Sequence, residues 1–181
     1  MAVNRVEKLL RDVTDALEKA NVAYAVVGGN AVAAWVATVD EGAVRATKDV
    51  DILLRRPDLP RVTEAFKPLG LVLVEVLGVQ MFVDAKRPNP KTGVHVVIAG
   101  EKIRAHYAHA APDPDESVRA DAGFRIIDLP AVLRMKLQSF RDIDRAHVRD
   151  LIGIGLIAEG LQDKLPPDLR ERLRQIQETP E

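Results

Sequence analysis

The chain has 181 residues, 47% hydrophobic and 29% charged, enough to bury one compact core beneath a solvated surface. With 26 Lys and Arg against 27 Asp and Glu, its net charge of −1 excludes a nucleic-acid coat protein but leaves room for a local basic groove. No cysteine means no disulfide and no thiolate metal site. The opening MAVNRVEKLLRDV lacks a secretory core, and no apolar run nears the ~18 residues of a membrane span, so the expected compartment is the cytoplasm, with no membrane partner.

Val3, Val6, Leu10, Val13 and Leu17 recur at helical spacing and predict an amphipathic helix over 3–20, ended by Asn21. Residues 22–27 (VAYAVV) read as a buried strand. Asn30 is expected to cap a small-residue helix over 31–38. A polar loop follows over 39–48, then a second strand over 49–54. Pro57 and Pro60 introduce a short helix with Leu59, Val62, Phe66 and Leu69 inward. Beyond Gly70, two β-like runs at 71–77 and 79–84 flank Gly78 as a hairpin or a bulged strand. KRPNPKTG at 85–92 is a loop and VHVVIA at 94–99 a further strand. Residues 108–123 lack any period and read as an exposed connection. FRIID gives another short strand, and Asp128 caps a helix through about 141 with Leu129, Val132, Leu133, Leu137 and Phe140 on its apolar face. Helices are also expected over 144–157 and, from Leu169, Leu173 and Ile176, at the C-terminus.

The pattern is α+β: a mixed β-sheet flanked by helices, with a helical C-terminal part. The expected organisation is a core over 1–107, the connection at 108–123, and a strand with helices over 124–181 packing on the core as one unit.

The densest chemical signal lies at 22–54. A Gly28-Gly29 turn between strand and helix lets backbone N–H groups approach a phosphate. The turn fits neither the three-glycine dinucleotide fingerprint nor a Walker loop. Asp49 and Asp51 open the second strand. At i and i+2 they share a face, with Cα atoms roughly 6.6 Å apart, suited to a shared divalent cation. Without a cation, burying both would raise one pKa strongly.

Gly28-Gly29-Asn30-Ala31 followed by Arg45-Ala46-Thr47-Lys48-Asp49-Val50-Asp51-Ile52 resembles the nucleotidyltransferase superfamily of polymerase-beta-type fold. The pattern is nearest to the abortive-infection, AbiEii-type toxin-like branch. The segments Leu129–Leu137, Arg141-Asp142 and His147–Leu151 are similar to that branch's C-terminal helices, so the resemblance spans most of 20–157. It implies a nucleotidyltransferase core in which Asp49 and Asp51 hold Mg²⁺ (or Mn²⁺). It also implies that Gly28, Gly29 and Asn30 approach the triphosphate of an NTP, with Arg45, Thr47 and Lys136 as further nucleotide-binding candidates. Lys136 is expected to leave its helix on the side opposite Leu133, Leu137 and Phe140.

The implied activity is transfer of NMP from an NTP to an acceptor hydroxyl, on tRNA or another RNA end, a protein or a small molecule. A cognate toxin or antitoxin is an implied partner. The superfamily carries a third carboxylate on a later strand, yet Val94–Ile98 holds no acid. His95 is the candidate for that catalytic slot, with Asp84 and Glu101 as alternatives. The alternative function is a catalytically degenerate relative that binds a nucleotide or a protein and regulates by occupancy.

Three other features read as structural. His106 and His109 fall in an expected flexible surface loop, and Trp35 and Phe140 are expected in the core. The charges of Arg134, Lys136, Arg141, Arg145 and Arg149, interleaved with Asp142, Asp144 and Asp150, read as a salt-bridged helix face, with an RNA-facing groove as the alternative.

Overall fold

The protein is seen here as a computed structural model that describes residues 2–158 and 160–179, with the side chains of residues 2–4, Val3 included, outside the description. Its centre is a seven-stranded mixed sheet: β1 (Tyr24–Val27), β2 (Val50–Leu54), β3 (Leu71–Val76), β4 (Val79–Asp84), β5 (Val94–Ile98), β6 (Ser117–Arg119) and β7 (Arg125–Ile127), in spatial order β3-β4-β5-β2-β1-β7-β6. β2 runs antiparallel to β1 and parallel to β5, and β1 runs parallel to β7. Both neighbours of β2 are central strands, so its Val-Ile-Leu run is buried on both faces, as the unbroken apolar sequence requires.

Six α-helices among the described residues cover the two faces. α1 (Ala2–Lys19) and α3 (Leu59–Phe66) pack on one side, where Leu10, Val13, Leu17, Val62 and Phe66 meet Tyr24, Val26, Ile52 and Leu54. On the other side lie α2 (Gly28–Ala37), α4 (Leu129–Ser139), α5 (Asp142–Gly153) and α6 (Pro167–Glu178), packed against Ala25, Val27 and Leu53. Period-two alternation puts Asp49 and Asp51 on the same side of the sheet as Leu53, and His95 on the same side as Val97, which packs with that second group. Asp49, Asp51 and His95 therefore all face α2, α4 and α5.

The local chemistry accounts for the boundaries. β3 and β4 form a hairpin through Leu77 (φ 52°) and Gly78 (φ 76°), the double positive φ of a two-residue turn that matches strand twist. Asp128 caps α4 by accepting from Ala131 N at 2.8 Å, and α4 ends where Phe140 turns left-handed at φ 50°. α5 begins at Asp142 and stops at Gly153, short of the expected 157, because Ile154–Gly155 turn the chain with Gly155 at φ 77°.

The segment 108–123 departs from its reading as an exposed connection. Ala111 and Pro114 are buried, and Ser117–Arg119 extend the sheet by pairing with β7. A three-residue edge strand carries too few alternating positions to register as a pattern.

Candidate active site

The antiparallel pairing of β1 with β2 sets Val27 opposite Asp51. The chain therefore leaves β1 at Gly28 directly beside the Asp51 carboxylate. A Cβ on Gly28 would lie 2.8 Å from Asp51 Cγ and closer still to Oδ2, and Gly28 stands at φ +67°. Both space and backbone demand glycine there. At Gly29 a Cβ would lie 2.8 Å from Thr47 Cγ2. The Gly-Gly turn is thus a close approach of backbone to two side chains of the Arg45–Asp51 segment.

Asn30 does not cap a helix. α2 starts at Gly28 with Val27 as its N-cap, and no side chain caps its first turn. The positive φ of Gly28 lets the helix begin three residues before the expected start, which places Asn30 inside the first turn. Its side chain spans the gap to the next strand: Nδ2 donates to Asp49 O at 2.7 Å, and Oδ1 accepts from Thr47 Oγ1 at 2.7 Å. Asn30 and Thr47 together fix the backbone that carries Asp49.

Parallel pairing of β2 with β5 puts His95 beside Asp51. His95 Nδ1 lies 3.3 Å from Asp51 Oδ1 and 3.5 Å from Asp49 Oδ2, while Nε2 lies 3.0 Å from Pro90 O. A ring with acceptors at both nitrogens is held as the imidazolium. The bond to Asp51 pushes its pKa up to about 9 against the opposing effect of burial. Burial, followed by the charge of Asp51, raises the pKa of Asp49. One ligand atom from each of Asp49, Asp51 and His95 falls within 4.8 Å of the others. Of the three candidates for the third slot, His95 is the one brought to the pair. Asp84 accepts from Lys86 N and Arg87 N at the loop start, and Glu101 forms a two-pronged pair with Arg56 at 2.5 and 2.7 Å.

The candidate cations are engaged with carboxylates. Arg45 grips Asp150 through Nε and Nη2, at 2.5 and 3.0 Å. Lys136 is buried at 7% exposure, not projecting away from the apolar side of α4 as its neighbours suggested. Its Nζ donates to Asp144 Oδ1 at 3.0 Å, and that counter-charge is what permits burial. Asp144, fully buried, also accepts from Ser139 Oγ at 2.5 Å and Arg141 Nε at 2.7 Å. Burial alone would raise its pKa. The Arg141 bond, the Lys136 charge and the Ser139 hydroxyl outweigh that and hold it at about 2. Lys136 also acts electrostatically on Asp49, favouring the carboxylate.

Sequence reasoning gave His147 no role of its own, although it lies one helical turn beyond Asp144 on the buried stripe of α5. His109 does lie in a partly exposed loop, but that loop is tied to its surroundings. Its backbone exchanges two hydrogen bonds with the Gln138 side chain, and its ring pairs with Asp168 of α6 at 2.9 Å. Trp35 packs between the two apolar groups and donates Nε1–H to Ile127 O. Phe140 is half-buried under the guanidinium groups of Arg145 and Arg172. Arg134–Glu116, Arg141–Asp144 and Arg145–Asp142 pair their charges.

Neither a protein-family model nor a curated protein matches the sequence. Solved structures match the fold. An antigenic nucleotidyltransferase-like protein from Paracoccidioides brasiliensis superposes with a TM-score of 0.61, at 15% identity over 98% of this chain and 89% of that one. ANT(2")-Ia in complex with adenylyl-2"-tobramycin gives 0.56, at 16% identity over 93% and 96% of the two chains. The lincomycin-bound lincosamide antibiotic adenylyltransferase LnuA gives 0.56, at 15% identity over 82% and 97%. The chain therefore has a nucleotidyltransferase fold. No helix among the described residues is long and apolar enough to cross a membrane.

Proposed function

We propose that this protein is a nucleotidyltransferase that moves a nucleoside monophosphate from an NTP to an acceptor hydroxyl. The observation that carries the reading is the Asp49–Asp51–His95 cluster lying against the uncapped first turn of α2, on a nucleotidyltransferase fold. Two carboxylates at close range, one with its pKa raised by burial and then by the charge of the other, form a donor set that fits a divalent cation. Their hard oxygens suit Mg²⁺ or Mn²⁺. Asp49 and Asp51 would hold that cation, which supplies charge neutralisation for the phosphates and orientation of the reacting groups.

The remaining work falls to the chain. First-turn amides of α2, with the positive end of the helix dipole, bind phosphate oxygens. Gly28 and Gly29 keep that approach open. Asn30 and Thr47 hold Asp49 in place, and Lys136 biases it toward the charged form. His95 stands where a third acid would stand. Hydrogen-bonded to Asp51, it would be the group to receive the acceptor hydroxyl's proton in its neutral form. Most of the rate enhancement then comes from positioning and electrostatics, as expected for phosphoryl-type transition states.

The Arg45-x-Thr47-x-Asp49-x-Asp51 pattern supports placement in the AbiEii-type branch, and with it a toxin–antitoxin or phage-defence setting with a cognate partner. RNA ends, tRNA among them, proteins and small molecules are the acceptor classes to screen. The test is incubation with each labelled NTP, Mg²⁺ or Mn²⁺, and total RNA or cell extract, followed by isolation of the labelled product. A labelled product lost in Asp49→Asn supports the reading, and none under any combination contradicts it. One observation favours a second reading, that of a binding module: His95 offers both aspartates a resident positive charge. Nucleotide binding without any transferred label would favour that reading.

A further inference from the structure

Helix α5 carries a polar side chain that the site as described leaves unused. His147 is 7% exposed, and its Nδ1 is buried with no hydrogen-bond partner. Its ring sits against the nucleotide-side turn: a Cβ built on Gly29 would lie 3.7 Å from His147 Cε1, with Thr47 Cγ2 at 2.8 Å. Cε1 is bonded to both ring nitrogens. The edge of the imidazole turned toward the first turn of α2 is therefore the edge that carries its hydrogen-bonding atoms.

The charged groups acting on the ring come from three elements. Lys136 belongs to α4, Asp144 and Asp150 to α5, and Arg45 to the loop before β2. Burial, followed by Lys136, pushes the pKa of His147 down to about 4, so the ring is neutral at physiological pH. A neutral ring has a single N–H. Placing it on Nδ1 would bury an unanswered donor, a rarer and costlier arrangement than an unanswered acceptor. The proton therefore belongs on Nε2.

We propose that His147 is a nucleotide-contacting residue whose neutral Nε2–H donates to a phosphate oxygen held on the α2 amides. Two features converge on it: a ten-residue helix whose first turn has no side-chain cap, and a ring only 7% exposed whose Cε1 faces that turn and whose Nδ1 is buried without a partner. The contact adds a directional donor without adding charge, in a region where Lys136 and Arg45 already supply cations. The inference rests on the reading of the site as a nucleotide site and extends it to α5.

Binding of the α,β-methylene analogues of the four NTPs with Mg²⁺, measured by calorimetry, tests it. Wild type is expected to bind at least one. His147→Leu should bind it about ten- to a hundredfold more weakly, the range for losing a hydrogen bond to a charged group. His147→Gln, whose amide reaches the Nε2 position, should stay within about threefold of wild type. Nitrogen NMR of histidine-labelled wild type adds a readout that does not depend on a variant folding. It should show His147 as the Nε2–H tautomer, with that resonance moving when the analogue is added. If wild type binds while His147→Leu binds equally well, or the resonance stays still, the inference fails and the site reading stands. If wild type binds none of the four, both fail.

Discussion

Two carboxylate clusters lie on the same side of the sheet, and they are built differently. Around Asp144, three donors from α4 and the α4–α5 turn converge on one fully buried acid, and its charge is answered several times over. Around Asp51, two acids share one imidazole, and the side chains of Asp49 and Asp51 keep 44% and 23% of their exposure. The first cluster is complete without a ligand. The second has surplus negative charge, an open side and an adjacent helix N-terminus. The same residue type thus ties helices together in one place and, on the proposed reading, serves as a receptor in the other. The histidines repeat the contrast: His95 is pushed up to about 9 by Asp51, and His147 down to about 4 by burial and Lys136.

The largest separation should come from matched substitutions. Asp144→Ala leaves the Lys136 ammonium buried without its partner and should cost about 3–5 kcal/mol of folding stability, read from urea unfolding midpoints. Asp51→Asn should change stability by less than about 1 kcal/mol while lowering nucleotide transfer by at least about a hundredfold. A stable Asp144→Ala, or an Asp51→Asn that unfolds, would reverse the assignment of tie and receptor.

Lys136→Met sharpens the same contrast. It removes a buried charge but leaves Asp144 with Ser139 and Arg141, so its stability cost should be smaller than that of Asp144→Ala. Loss of Lys136 should also shift the pKa of Asp49 upward, since Lys136 favours its charged form. Carbon NMR of the Asp49 carboxyl would follow that shift directly.

The two histidines predict opposite limbs of the stability–pH curve. His95 has a folded pKa above its usual 6.5, so its contribution is fully present below 6.5 and is lost as pH rises through about 9. His147 has a folded pKa below 6.5, so its contribution is present above 6.5 and is lost as pH falls toward about 4. His95→Gln should flatten the alkaline limb and His147→Gln the acid limb, each by a small amount, in unfolding measured across pH 4–10. Both variants flattening the same limb would break the comparison.

The smallest expected effect concerns Gly70, at φ +71° with open space around it. Gly70→Ala should cost only about 1 kcal/mol from backbone strain. At Gly28, by contrast, the same substitution drives a methyl group into the Asp51 carboxylate and should impair transfer as well as folding.

That Asp49, Asp51 and the Gly28-Gly29 turn come together was largely legible in the sequence because the signals are local. Gly28-Gly29 follows an apolar run, and Asp49-x-Asp51 opens the next. His95 was reached by noting which later strand lacked an acid, and the β2–β5 register then set it beside Asp51. Of the tie, only the Arg141–Asp144 pairing was legible. Lys136 and Asp144 sit on different helices, and nothing in either helix's periodicity says that a lysine is turned inward to meet an acid. The Arg45–Asp150 pair spans 105 positions and leaves no sequence pattern at all. Asn30 misled because an Asn before a small-residue run is a familiar cap, whereas a left-handed Gly28 starts the helix earlier and frees that side chain to brace Asp49. Antiparallel pairing of β1 with β2, which brings the glycine turn to Asp51, is likewise a property of topology, not of either strand.

The central claim is that the surplus charge at Asp49 and Asp51 serves transfer at the α-phosphate of an NTP. The most direct measurement supplies wild type and Asp51→Asn with NTP labelled at the α- or the γ-phosphate, Mg²⁺ and the acceptor fraction. The account predicts α-label on the acceptor, γ-label released as pyrophosphate, and loss of both signals in Asp51→Asn. Label transferred from the γ-position, or α-transfer that persists at wild-type rate in Asp51→Asn, would contradict it.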